Sequence, residues 1–263
     1  MNATGTVIAL GTIVRREVVR ILRIWSQTLL PPAITMTLYF IIFGQLIGSR
    51  IGQMAQGADG QPISYIEYIA PGLIMMAVIT NSYGNVVSSF FGAKFGKHVE
   101  EMLVAPLPNW VIVLGYVGGG LVRGLLVGGA VTIVSMIFTQ LHVYHALAIF
   151  AAVVLTSVVF ALGGFINALF AKNFDQVNWI PTFVLTPLTY FGGVFYSITL
   201  LPDWARHISY ANPILHMVNA FRYGFLGASD VDVRVAFTIM ALAASVLFGV
   251  AVFFMNRGTG MRE

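Results

Sequence analysis

The chain has 263 residues, of which 58% are hydrophobic and 9% charged, against roughly a quarter charged in soluble proteins. A soluble globular fold is excluded, because the apolar residues fall in blocks near the ~20 needed to cross a bilayer as a helix. The charges, 14 Lys and Arg against 10 Asp and Glu for a net +4, lie almost wholly between those blocks, so they set orientation and no nucleic-acid partner is expected.

In chain order, residues 12–25 place Val14, Val18, Ile21 and Trp25 at helical spacing, with Arg16, Arg20 and Arg23 opposite. Such a basic amphipathic helix lies on the cytoplasmic leaflet with Trp25 at the interface. The same residues also read as a positive flank that only orients the next segment. They lack the compact apolar core and small-residue cleavage site of a signal peptide. Six transmembrane spans follow, at 28–49, 66–91, 109–138, 144–171, 177–197 and 235–255. The expected fold is an all-α polytopic membrane protein, one transmembrane domain over 1–263. Pro31 and Pro32 are expected in the first turn of the first span, where proline is tolerated. Six spans put both termini on one side. That side carries Arg15, Arg16, Arg20, Arg23, Lys94, Lys97, Lys172, Arg257 and Arg262, against Arg50, Arg206, Arg222 and Arg234 on the other. The positive-inside bias therefore places both termini in the cytoplasm.

Between spans two and three, residues 97–104 make two helical turns, stopped by Pro106 and Pro108. Val99, Met102 and Leu103 fall at i, i+3 and i+4 after His98, while Lys97, Glu100 and Glu101 face away. This stripe suits a groove on a soluble partner, or a loop dipping into headgroups. The third span carries Gly120, Gly124 and Gly128 at every fourth position, a face that admits close helix approach. Beside it stands Arg123. An unpaired cation there costs at least ~2.5 kcal/mol, so Arg123 must snorkel or bond carbonyls or polar side chains nearby; substrate contact is the alternative. His142 and His145 occupy a short external turn, a surface pair without the third ligand that zinc needs.

Span five brings Phe183, Tyr190, Phe191, Phe195 and Tyr196. These aromatic groups suit a path for a hydrophobic or amphipathic molecule and equally suit lipid contact or core. The external stretch 198–234 is too long for a turn and too apolar for a linker. Within it Asn212, His216, Asn219 and Tyr223 form a polar stripe opposite Ile214, Met217, Val218, Phe221 and Phe225, and Asn212 with Pro213 starts the helix. This helix is expected at the outer interface or re-entering partway, rocking as an exit gate. His216 is then either fixed by hydrogen bonds or titrates with external pH near ~6.5.

Chemistry is conspicuous by what is missing. Residues 92–98, GAKFGKH, have three residues between the glycines where a phosphate loop needs four, and His98 replaces its hydroxyl. HExxH and GxSxG do not occur, and with no cysteine there is no thiolate catalysis, disulfide or cysteine-held metal. The acids, among them Glu67 and Asp175, sit at span edges, which weakens proton or sodium coupling. Asn81, Asn85, Ser88 and Asn167 read as helix–helix hydrogen bonds. No catalytic or metal residue is assigned.

A basic N-terminal helix, six spans, EEMLVAPLP at 100–108 and SYANPILHMVNAFRYGFLG at 209–227 together resemble the membrane subunits of ABC-2 type exporters. The bacterial branch with nodulation-factor, polysaccharide, drug-exporter and YadH-like permeases is the most similar. Asn212, Pro213, His216 and Arg222 are the most specific part. The resemblance implies an inner-membrane homodimer bound to two copies of a separate cytoplasmic ATPase subunit, with ATP and Mg held by that partner and no cofactor in this chain. It also implies that His98 to Leu103 couple the two subunits and that substrate moves along the dimer axis. The expected function is export of a drug, lipid or lipid-linked glycan. An ion-coupled secondary transporter or channel is the alternative, and an intramembrane enzyme is more remote.

Overall fold

A computed structural model describes residues 3–51, 53–56, 60 and 62–260. The described residues are helical apart from short connections and one antiparallel hairpin, β1 (Gln53–Gln56) and β2 (Pro62–Ser64), in which Ala55 faces Ile63. Among the described residues, five helices are long and apolar enough to cross a membrane: Trp25–Gly44, Tyr65–Phe95, Asn109–Phe138, Ala146–Phe170 and Val233–Arg257.

The first helix, α1 (Ala3–Arg23), is longer than residues 12–25, and it turns Ile13, Glu17 and Ile21 inward. A kink at Ile24 (φ −110°, ψ 35°) leads into α2 (Trp25–Tyr39), a π-helical stretch at Phe40–Ile47 and α3 (Gly48–Ile51). Pro31 and Pro32 lie inside α2, in its second turn rather than the first. The helix begins earlier than hydropathy suggests because Trp25, Ser26 and Gln27 continue it. Leu30, Ile34 and Leu38 of α2 are exposed.

At the centre stands α4 (Tyr65–Phe95), 31 residues or ~46 Å long. Its start is set by a capping box. Ser64 N–H donates to Glu67 Oε2 at 3.0 Å, and Glu67 N–H donates to Ser64 Oγ at 3.5 Å. Around it pack α6 (Asn109–Phe138) and α7 (Ala146–Phe170). The three spaced glycines are the reason these helices come so close. A Cβ at Gly120 would stand 2.6 Å from Val86 and 2.7 Å from Ala161, at Gly128 it would stand 2.9 Å from Val78, and at Gly124 it would overlap the Ser82 and Ser157 hydroxyls. The glycine face is thus wedged between α4 and α7. A second set on α6, Gly115, Gly118 and Gly119, receives Ile13, Val14 and Glu17 of α1.

Span five departs from expectation in its length and regularity. The segment is α8 (Phe174–Ile180), a π-helical stretch Pro181–Leu185 and α9 (Thr186–Tyr190), ending well before residue 197. Pro181 and Pro187 remove ladder donors, and Gly193 reverses the chain in the left-handed region at φ +68°. A 3₁₀ turn, then α10 (Asp203–Ala211), α11 (Pro213–Leu226) and α12 (Val233–Arg257) complete the chain.

Candidate functional site

Opposite ends of α4 carry two different kinds of site. At its C-terminal end, Lys97 takes a left-handed conformation (φ 59°) that turns the chain sharply into α5 (His98–Val104). Val99 is buried and Met102 is partly packed on the core, whereas His98, Glu100, Glu101, Leu103 and Val104 are exposed. The expected stripe is therefore split: Val99 anchors α5 to its own chain, and Leu103 with Val104, 87% exposed, forms the free apolar edge. His98 Nδ1 lies 3.9 Å from Glu101 Oε1, a surface pair of little energetic weight. Lys94 ties the adjoining helix ends by donating to the carbonyls of Leu169 and Ala171, both at 2.8 Å.

The N-terminal end of α4 meets α11, the helix expected at the outer interface or re-entering partway, and its polar stripe is turned inward. Asn212, His216, Asn219 and Arg222 are all buried, as are Ile214, Met217, Val218 and Phe221, because α11 packs among α4, α7 and α12. Each of the four polar side chains has at least one partner inside, although His216 Nδ1 is buried without one. Asn212 Oδ1 accepts from Ile214 N–H at 3.0 Å and its Nδ2 donates to Leu188 O at 2.6 Å, while Pro213 sits at the first helical position. His216 Nε2 meets Tyr210 O at 3.0 Å. Tyr223 stacks on His145 at 5.9 Å between ring centres, so His145 serves the α6–α7 turn.

Arg222 organises this end. Its guanidinium donates to Gly193 O at 2.7 Å, Tyr68 O at 3.3 Å and Asn219 Oδ1 at 3.3 Å, and lies 3.9 Å above the Tyr68 ring. Asp230 Oδ2 is 3.9 Å away and accepts from Tyr68 Oη at 2.8 Å, while Oδ1 accepts from Ser197 Oγ at 3.0 Å. Asp230 went unnoticed in the sequence; a buried arginine on an apolar helix was the signal that an acid must lie close.

A second carboxylate, Glu17 of α1, is buried. Glu17, 1% exposed, bonds Arg20 at 2.8 Å and Ser89 Oγ at 2.8 Å, with Arg16 at 3.5 Å. Arg16 also donates to Tyr116 Oη at 2.7 Å. Burial works against the Arg16 charge, but Tyr116 and Glu17 outweigh it and raise its pKa. The spacing of Ile13, Glu17 and Ile21 at i, i+4 and i+8 marked the inward face. Arg123 finds Asn81 Oδ1 at 3.3 Å.

Of the aromatic residues on 177–197, Phe183, Tyr190 and Phe191 are exposed. Phe195 stacks among Tyr190, Phe43 and Tyr39 at 5.7, 5.0 and 5.8 Å. The structure thus joins the turn after α9 to α2 and to the π-helical stretch that follows it.

The family described as ABC-2 type transporter matches residues 8–226, from α1 through α11, and so takes in both ends of α4. The chain belongs to this family. It is 52% identical over 256 residues to the inner membrane transport permease YadH of Escherichia coli (strain K12), covering 97% of this chain and 98% of that one. Nodulation protein J of Rhizobium leguminosarum bv. viciae is 24% identical over 217 residues, 82% of each chain. The protein is accordingly a membrane subunit of an ABC transporter, and membership implies pairing with an ABC ATPase subunit.

Proposed function

We propose that this chain is the permease of an ATP-driven exporter in the bacterial inner membrane, working as a homodimer on two copies of a soluble ATPase subunit that binds ATP and Mg. The cargo class is hydrophobic or amphipathic: a drug, a lipid or a lipid-linked glycan. In this reading there are six crossings. Phe174 packs on Phe91 at 5.0 Å and the backbone of Val194 abuts Gly72, so residues 174–194 run antiparallel to 72–91 over about 30 Å of helix. Both termini then lie in the cytoplasm with α5. The exposed faces of α2 and residues 177–191 supply the dimer contact and the substrate path, and α11 is the outer closing element.

The observation that carries the ATPase reading is α5, short, pinned by Val99 and offering Leu103 and Val104 outward. Leu103→Asp with Val104→Asp buries charge in that contact, a cost of several kcal/mol in a dry site. The variant is expected to fold, yet to lose co-purification of the ATPase and ATP-dependent transport in proteoliposomes. Full ATPase recovery with this variant would falsify α5 as the docking element. Transport driven by an ion gradient without ATP would instead make the chain a secondary transporter.

A further inference from the structure

Two grooves adjoin along the first helices. Arg15, Arg16, Arg20, Arg23 and Ile24 line an open cleft of about 430 Å³. Directly after the kink, Leu30, Pro31, Ile34 and their neighbours on α2 line a second of about 540 Å³. The first is cationic; the second is mainly apolar, with Ser26, Gln27 and Thr35 also in its lining.

Behind the cationic cleft two guanidinium groups converge on one face of α4. Arg20 reaches Asn85 Oδ1 at 2.8 Å and Arg123 reaches Asn81 Oδ1 at 3.3 Å, and these asparagines are one helical turn apart. Arg20 and Arg123 thus bring two like charges to successive turns of the same helix. Glu17 answers Arg20 and Arg16; among the described residues no carboxylate reaches Arg123. Arg20 Nε, Arg123 Nε and Asn85 Nδ2 are moreover buried without a hydrogen-bond partner. Donors gathered in excess, with like charges held together, are complemented by an anion that offers several acceptor oxygens. Guanidinium forks match a phosphate in charge and geometry.

We propose that this cleft seats the phosphate headgroup of an anionic amphiphile, held by Arg15, Arg16, Arg20 and Arg23 with Arg123 behind them, its acyl chain lying along the apolar groove of α2. A free phosphate would use the first groove and leave the second idle. The site rests on the grooves and the unpaired donors. Only its place on an export route rests on the proposed function, and the two fail separately because binding is read without ATP.

The test is calorimetric titration of the purified full chain, in an uncharged detergent, with three probes: dioctanoyl phosphatidic acid, dioctanoylglycerol and inorganic phosphate. Phosphatidic acid is expected to bind at least about tenfold more tightly than either other probe, and more weakly as salt rises. Arg123→Gln is expected to reduce that affinity by about tenfold. The rim variant Arg15→Gln with Arg23→Gln, which leaves the Glu17 contacts in place, is expected to reduce it several-fold. Equal binding of dioctanoylglycerol overturns the phosphate reading, and equal binding of inorganic phosphate overturns the amphiphile. Wild-type affinity in both folded variants overturns the site.

Discussion

Arg222 and Arg123 are both drawn into the helix bundle, and their surroundings are opposite. Arg222 is wholly buried, holds three acceptors, lies over the Tyr68 ring and has Asp230 at 3.9 Å. Arg123 has one acceptor at 3.3 Å, a buried Nε without partner and Arg20 for a neighbour. A cation surrounded by acceptors fastens elements together; one left with a spare buried donor and a single acceptor does not. Arg222 fastens three elements, since its acceptors belong to α4, α11 and the turn at Gly193.

The largest effect is expected from breaking that fastening. Arg222→Met strips the guanidinium from Gly193, Tyr68 and Asn219 and leaves Asp230 without its cation. Removing one member of a buried charged set costs ~3–5 kcal/mol, expected as a collapse of monodisperse yield and of the thermal midpoint. Asp230→Asn in the same chain restores part of the loss, because the stranded charge goes with it. A midpoint for Arg222→Met equal to wild type would mean that α11 is held by apolar packing alone.

The long helices and the glycine face are readable from hydropathy and spacing, because a membrane span must be apolar throughout and a close crossing demands small residues. What spacing cannot reveal is which face of a helix finds a partner. The stripe from Asn212 to Tyr223 has the pattern of an interfacial helix, yet Asn219 and Arg222 are buried because Tyr68 and Gly193 arrive from other parts of the chain, and Asp230 from the turn after α11, to bond them. Glu17 was hidden for the same reason: its partner Ser89 is on another helix. Span five was obscured by Pro181, Pro187 and Gly193, whose effects on helix length depend on what packs against the broken ladder.

A smaller effect is expected where α6 is held against its neighbours. Gly124, next to Arg123, is wedged between Ser82 and Ser157. Gly124→Ala overpacks that contact by ~1–3 kcal/mol. Gly129→Ala, with nothing within 4 Å of the new Cβ, gains helix propensity of up to ~1 kcal/mol. Thermal midpoints of the two variants are expected on opposite sides of wild type. Equal midpoints would show that α6 has room to slide, and that the position of Arg123 is not imposed by packing.

The smallest effect on stability is expected from Arg123→Gln, and its smallness sharpens the contrast with Arg222. Glutamine can still donate to Asn81 Oδ1, so the one bond that Arg123 makes has a substitute. In exchange the buried Nε that lacks an acceptor is removed. An unsatisfied buried donor costs ~1–3 kcal/mol, so the thermal midpoint of the detergent-purified protein is expected to stay level or rise. A fall as large as that of Arg222→Met would give Arg123 the same fastening role, and the division between a bound and an available arginine would be lost.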